Sequence, residues 1–581
     1  IAGRHGKPAR IIIAVGATPG EQLYGCLLYM GHWVLGHTNR PFALVSLARH
    51  DRCHTASQTF VQQEEERALW AEGLLRQALF GSDKNVHDPR LFERITVGAL
   101  AAWIAMGGDL LGSCVYGPNL LGRSSGGHRG VLLVATGATL LTLAVMAYAY
   151  TRMVARFPHG GGGYTAARHV VGERLSLVSG VALVFDAAFN VAVSVVTCVD
   201  AAGDALPRAF QPAKLPVAAS LIVLLAFINL RGIKESIGFL APIVILFVGS
   251  HLVVLVMALG HRAGALPAAL ASVPSDVRDL AAEHGTGSTL GTMLRAYALG
   301  GSIYTGLEAI SNGVPILREP KVTTARRTMV LLAGVPGLVI LTILVGYFVY
   351  DVQPEAHKTL NAVLFERAAA GFGADRPLVR ALMVSVPLLS EAALLIVAAQ
   401  TGFVDGPRIL GALATDRFMP QRLMRLNGRL APAPGILLIA AVALLATVLV
   451  RGALEPLLVV FVVSVFVTFT VSQWAMLRDA VRRRKEDNAP GRARDAVLYA
   501  TALLLCLVIL IGTFVSRWAG SLVALALILA VTALALLIRR RYGVIAGAVE
   551  RRRAEAPPPG AVSVGADHAV PRSEQEPSIA V

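Results

Sequence analysis

Charge is what this sequence has least of. Only 15% of its 581 residues are Asp, Glu, Lys or Arg, against about a quarter in an average soluble domain, so an ordinary soluble enzyme is excluded. Lysine is rarer still, at seven of the 53 basic residues. Its five cysteines, Cys26, Cys53, Cys114, Cys198 and Cys506, are scattered without a CxxC or other ligand spacing. That removes a disulfide framework and a structural metal site, leaving no metal expected beyond a transported ion. No Walker A motif is present: the glycine run Gly160–Gly163 has no Lys-Ser/Thr after it, and Gly6-Lys7 is followed by Pro8. An ATP-driven pump is therefore excluded. There is no TVGYG filter, and no GxSxG or HExxH motif, so neither a potassium channel of the usual kind nor a membrane hydrolase is supported. No cofactor is called for.

What the chain does have is apolar residues, 55% of the total, in long uninterrupted runs, with a mean hydropathy of +0.61. Runs of about 20 such residues match the hydrocarbon thickness of a bilayer. Twelve spans are predicted, at 95–121, 130–150, 174–204, 215–230, 238–259, 289–313, 328–350, 377–403, 433–450, 456–477, 496–515 and 520–538. The fold class expected is all-α integral membrane. The net charge of +16 comes from arginines that collect between and after the spans, without the aromatic-interleaved basic module of a nucleic-acid binder. Membrane lipids are the expected partners and nucleic acid is not. Lys and Arg in alternate loops, beginning with the one between spans 2 and 3, outnumber those in the other set about two to one. By the positive-inside rule this puts both termini in the cytoplasm of a multi-pass protein of the inner, or plasma, membrane. Residues 1–94 read as a cytoplasmic segment, partly amphipathic or disordered. Residues 95–538 form the twelve-helix transporter domain, and 539–581 a disordered basic tail.

Acids inside spans are costly and usually line a functional cavity. Asp109, Asp186 and Glu308 stand out. Asp109 lies among Gly107, Gly108 and Gly112; Glu308 follows Gly300, Gly301 and Gly306. Two glycine-interrupted spans five helices apart, each with an acid, predict an inverted five-helix repeat whose first helices are broken at the midplane. Glycines that only permit close helix packing are the plainer alternative. Asp186, Asn190 and Ser194 recur at i, i+4 and i+8, one polar stripe on span 3. Glu391 in span 8 is a further proton-carrier candidate beside Glu308 and Asp109. His251 reads as a packing residue, and Arg295 as an interfacial one that snorkels.

Several segments resemble a known family. Gly107-Gly108-Asp109 through Tyr116-Gly117-Pro118, Phe157-Pro158-x-Gly160-Gly161-Gly162-Gly163-Tyr164 and Thr305-Gly306-Leu307-Glu308 through Pro315 are three of them. Glu319-Pro320, Asp405-x-Pro407-Arg408 with Asp416-Arg417-Phe418-x-Pro420, and Phe466-x-x-Phe469-Thr470-x-Ser472-Gln473 follow in order. Together they resemble the amino acid–polyamine–organocation (APC) superfamily, most closely its KimA-like potassium importer branch. The resemblance implies a LeuT-like 5+5 inverted repeat with broken helices 1 and 6, a dimer, and proton-coupled import. It also implies that an ion is held by Asp109, Tyr116, Asp186, Ser194, Thr305 and Glu308, with Asn190, Ala187 and Phe461 standing where the branch usually has Thr, Tyr and Tyr. The expected function is a proton-coupled symporter importing a monovalent cation, potassium first. Alternatives are an amino-acid or amine permease, and, from other classes, a passive channel or a non-transporting sensor.

Overall fold

The computed structural model describes residues 97–555, apart from 159, 161, 206–212, 233–236, 357, 373–375 and 487–489. The N-terminal segment 1–94 and the last part of the predicted tail, 556–581, lie outside the described residues. Within them the chain is all helical, with a single isolated bridge between Val97 and Leu317 and no strand.

The first predicted span is two helices, α1 (Ala99–Met106) and α2 (Gly108–Ser124), meeting at Gly107 with a bend of 50°. Then come α3 (Arg129–Arg156), the short α4 (Gly162–Val170), α5 (Glu173–Ala205), α6 (Lys214–Leu230) and α7 (Ile237–His261). Between the predicted spans 238–259 and 289–313 lies a further helix, α8 (Leu266–His284), which leads into α9 (Thr286–Leu299). After α9 the chain unwinds: a 3-10 turn covers Gly300–Tyr304, Thr305 is extended, and helix resumes only at α10 (Ala309–Gly313). The remaining elements are α11 (Lys321–Tyr350), α12 (Leu360–Ala370), α13 (Pro377–Thr415), α14 (Ala433–Leu449), α15 (Leu454–Glu486), α16 (Pro490–Ser516) and α17 (Trp518–Glu555).

Eight of these helices are long and apolar enough to cross a membrane, or nine counting the bent α1–α2 pair as one. The shortfall from twelve has three sources. α6 and α14 have 17 residues each, about 26 Å of helix against a core of about 30 Å. The third is 289–313, which the break between α9 and α10 divides into pieces too short to qualify.

Burial sorts centre from rim. In the most apolar window of α5, 89% of residues are buried, and in α15 72%; in α16 and α17 the figures are 33% and 28%. The α5 window is rich in Ala, Val, Ser and Gly, small side chains that let neighbouring backbones approach where no hydrophobic force drives helices together. α13 packs along α5, and α2 packs on α13. Asp109, Asp186 and Glu308 lie where these three meet the break after α9.

The tail departs from expectation. α17 does not stop at Ile538 but runs on to Glu555, so the start of the predicted disordered segment is helical. Ala and Arg are strong helix formers, and Arg539 is anchored: its guanidinium lies 2.5 Å from Glu173 and 4.6 Å above the Phe418 ring.

Candidate functional site

The two helix breaks face one another. Gly306 has φ of +82°, a left-handed conformation that costs a side-chain-bearing residue strain, and a Cβ there would lie 2.8 Å from the Leu110 amide nitrogen and 2.9 Å from Asp109 Cβ. Glycine is thus what allows the second break to close on the first. Ser113 stitches them further, its hydroxyl donating to the Ile303 carbonyl at 2.9 Å. Gly107 marks the first break and Gly300 and Gly301 open the 3-10 turn of the second. Gly108 and Gly112 behave differently from the prediction. Both are helical, and a Cβ at Gly112 would come within 2.8 Å of Ala398 Cβ, so these two serve the close packing of α2 on α13.

Beside the breaks is a small polar cavity of about 20 Å3, room for one or two waters or a bare ion. Four of the predicted residues line it: Asp109, Asp186, Asn190 and Glu308. Asp109 and Glu308 are almost wholly buried. Asp186 Oδ1 and Glu308 Oε2 are buried without a hydrogen-bond partner among the described residues. None of the residues lining the cavity is Lys, Arg or His. Carboxylates packed this way repel one another, and a cation or a proton between them relieves the repulsion.

The other predicted residues stand one layer back. Thr305 donates its hydroxyl to Asp109 Oδ1 at 3.3 Å, and Tyr116 shares a hydrogen bond of 3.0 Å with that same hydroxyl. Ser194 donates to Asn190 Oδ1 at 3.0 Å, while the Asn190 amide donates to Thr401 at 3.0 Å and to the Ala398 carbonyl at 3.3 Å. Tyr116, Thr305 and Ser194 therefore hold the lining side chains in place and do not themselves face the cavity. Phe461, where a tyrosine was looked for, packs its ring edge-on to Tyr116 with centroids 6.3 Å apart.

Glu391 is not at the cavity at all. It is wholly buried elsewhere, 3.0 Å from His251, a residue the sequence reading had set aside as packing.

Three polar lining residues are not among the expected site residues: Asn312, Thr401 and Asp405. α13 continues to Thr415, well past the predicted end of span 8 at Phe403, and so carries Asp405 as a fourth acid on the cavity wall. The signal was there. Thr401, Asp405 and Ile409 recur every four residues, the spacing of one helix face, and all three line the cavity. Opposite them, a Cβ at Gly162 would collide with Asn312 Oδ1, so the glycine run after α3 is a seat for the end of the second break.

A family model described as amino acid permease matches residues 97–541, all but the last fourteen of the helical residues just described. The chain belongs to that family. Its members are transporters, not enzymes, and the long apolar helices of this chain are those of a multi-pass membrane protein. Among curated proteins, the potassium transporter KimA of Bacillus subtilis (strain 168) is 30% identical over 393 residues. That match takes in 66% of this chain and 62% of the relative, so the chain is similar to about three-fifths of that protein's length.

Proposed function

We propose that this chain is a proton-coupled symporter that imports a monovalent cation, potassium first. The observation that carries the reading is the cavity wall: four carboxylates, Asp109, Asp186, Glu308 and Asp405, with amide and hydroxyl oxygens of Asn190, Asn312 and Thr401 and no basic side chain among them. Hard oxygens replace the water that an alkali cation sheds on binding. Asp109, Asp186 and Glu308 hold the ion, with Asn190 beside them. Tyr116, Thr305 and Ser194 orient the set. Glu308 and Asp109 are the acids that exchange the proton. The relative's description as a potassium transporter agrees with this assignment.

The architecture behind it is a twelve-span protein with a 5+5 inverted repeat. Helix lengths support the repeat. After each break come a long helix, a short one, a long one, a 17-residue one and another long one. The lengths are 28, 9, 33, 17 and 25 residues in the first half. In the second they are 30, 11, 39, 17 and 33. α16 and α17 lie outside it. We place both termini in the cytoplasm of the inner membrane, from the arginines of alternate loops, and take the assembly to be a dimer. On that orientation the cavity extends from the midplane toward Ile409 and Asn312, the cytoplasmic ends of their elements, while Tyr116 closes the outer side.

A permease for an amino acid or amine is the second reading, favoured by the two facing helix breaks, whose exposed backbone can hold a carboxylate and an amine. One experiment separates them. The protein is reconstituted in proteoliposomes with an internal pH dye, and K+, Na+ or single amino acids are added outside. Acidification on adding K+, lost in Glu308→Gln, supports the symporter. Acidification with an amino acid or amine alone moves the protein to the second reading.

A further inference from the structure

Away from the cavity, His251 on α7 and Glu391 on α13 are both completely buried, with His251 Nε2 3.0 Å from Glu391 Oε1. The other ring nitrogen, Nδ1, lies 2.9 Å from the Phe247 carbonyl, which can only accept. Nδ1 therefore carries a hydrogen. A neutral imidazole bears one hydrogen, so Nε2 then has a lone pair facing the carboxyl oxygen. A hydrogen bond across those 3.0 Å requires one more proton, held either as imidazolium against carboxylate or as imidazole against carboxylic acid. Without that proton two acceptors confront each other in a dry interior, and the contact opens.

The surroundings fit a switchable contact. The Asn361 amide on α12 donates to the same Glu391 oxygen at 2.7 Å and reaches the Val115 carbonyl on α2 at 3.4 Å. Tyr347 on α11 donates to Asn361. Glu391 Oε2 has no partner among the described residues. The other titratable groups near enough to sense this carboxyl are Cys114 on α2, Tyr347 on α11 and Asp204 on α5. Asp204 is already bonded to the amide and hydroxyl of Thr359, and Ser250 and Ser390 supply only hydroxyls. Among the described residues no arginine or lysine forms an ion pair with either side chain.

We propose that His251 and Glu391 form a second proton-binding site, a latch between α7 and α13 that is closed while it holds one proton and opens when that proton leaves to water. Through Asn361 the latch bears on α2 one residue before Tyr116, so its state reaches the residues that orient Asp109. The proposal rests on the proton-coupled reading above, but its test does not.

The full chain in liposomes is measured by infrared difference spectroscopy between mildly acidic and mildly alkaline pH, with no substrate present. Wild-type protein should show a carboxyl or imidazole band that both Glu391→Gln and His251→Gln remove. If either variant fails to fold, the other decides alone, and ring-15N-histidine compared between wild-type protein and that variant isolates the His251 component among the fourteen histidines. A spectrum with no band sensitive to either change, or to the label, overturns the latch and leaves the pair a fixed strut. As a second readout, Glu391→Gln, whose amide can neither take up nor release the proton, should flatten the pH profile of rubidium uptake, reducing the acid-to-alkaline change roughly tenfold. An unchanged profile overturns the link to transport. Should wild-type protein take up neither cations nor amino acids, the function proposed above fails, while the infrared result still decides the latch.

Discussion

Two groups of buried acids occupy this molecule, and they are furnished in opposite ways. Glu391 has its Oε1 matched by two polar neighbours, His251 and Asn361, within 3.0 Å, a basic ring among them, although its Oε2 is left without a partner among the described residues. The cavity acids face one another, with Asp186 Oδ1 and Glu308 Oε2 unpartnered and no basic side chain on the wall. A matched carboxyl can be held by the protein alone. An unmatched group of them is incomplete without something positive arriving from outside, which is why the cavity and not the His251 pair is read as the ligand site.

That contrast is broken or sharpened by four measurements. The largest effect is expected from Glu308→Gln, which removes the acid we assign to proton exchange but keeps the shape. Proton-driven accumulation in proteoliposomes should fall by roughly a hundredfold or more with normal expression, the scale of a positioned proton-transfer group. Wild-type accumulation in this variant would end the coupling role of Glu308. Next come Asp109→Asn and Asp186→Asn, which should raise the apparent KM for the cation by about tenfold to a hundredfold, as when a buried charge partner is lost. Unchanged KM in both would show that the wall does not hold the ion. On the other side of the contrast, Asn361→Leu strips a donor from Glu391 and an acceptor from Tyr347. It should cost about 1–3 kcal/mol of stability, read as a lower melting temperature in detergent, because buried polar groups are left unmade. Asp405→Asn should have the smallest effect. Its side chain is 29% exposed and lies 3.6 Å from Arg408, so the loss is about 1 kcal/mol or less and fades as salt is raised.

The broad architecture was readable because lipid leaves few options: backbone must be helical, so apolar runs translate into helices almost one for one. The two breaks were readable for the same reason, since glycines beside an acid are a poor way to build an uninterrupted span. The site was legible in part. Asp186 and Asn190 share a face at a spacing of four, and the structure puts both on the wall. Asp405 escaped because hydropathy ends a span at the first charges, whereas hydrogen bonding carries the helix on to Thr415. Ser194, Tyr116 and Thr305, expected at the ion, stand one layer back and hydrogen-bond to one another or to the wall. Sequence supplies the residue type, but which hydroxyl faces inward depends on the rotation and approach of several helices at once. His251 escaped for a related reason: nothing local to it announces that Glu391, 140 residues away, packs against its ring.

One small feature carries a mechanical consequence. Just before α1, the Val97 amide donates to the Ile316 carbonyl at 3.0 Å, and the Arg318 amide donates back to the Val97 carbonyl at 3.0 Å. This two-bond strap ties the start of the first broken span to the end of the second. A pull applied anywhere upstream of Val97 is delivered to residues 316–318 before it reaches α1. While both bonds hold, the start of the first broken span and the residues just after the second are tied at one point.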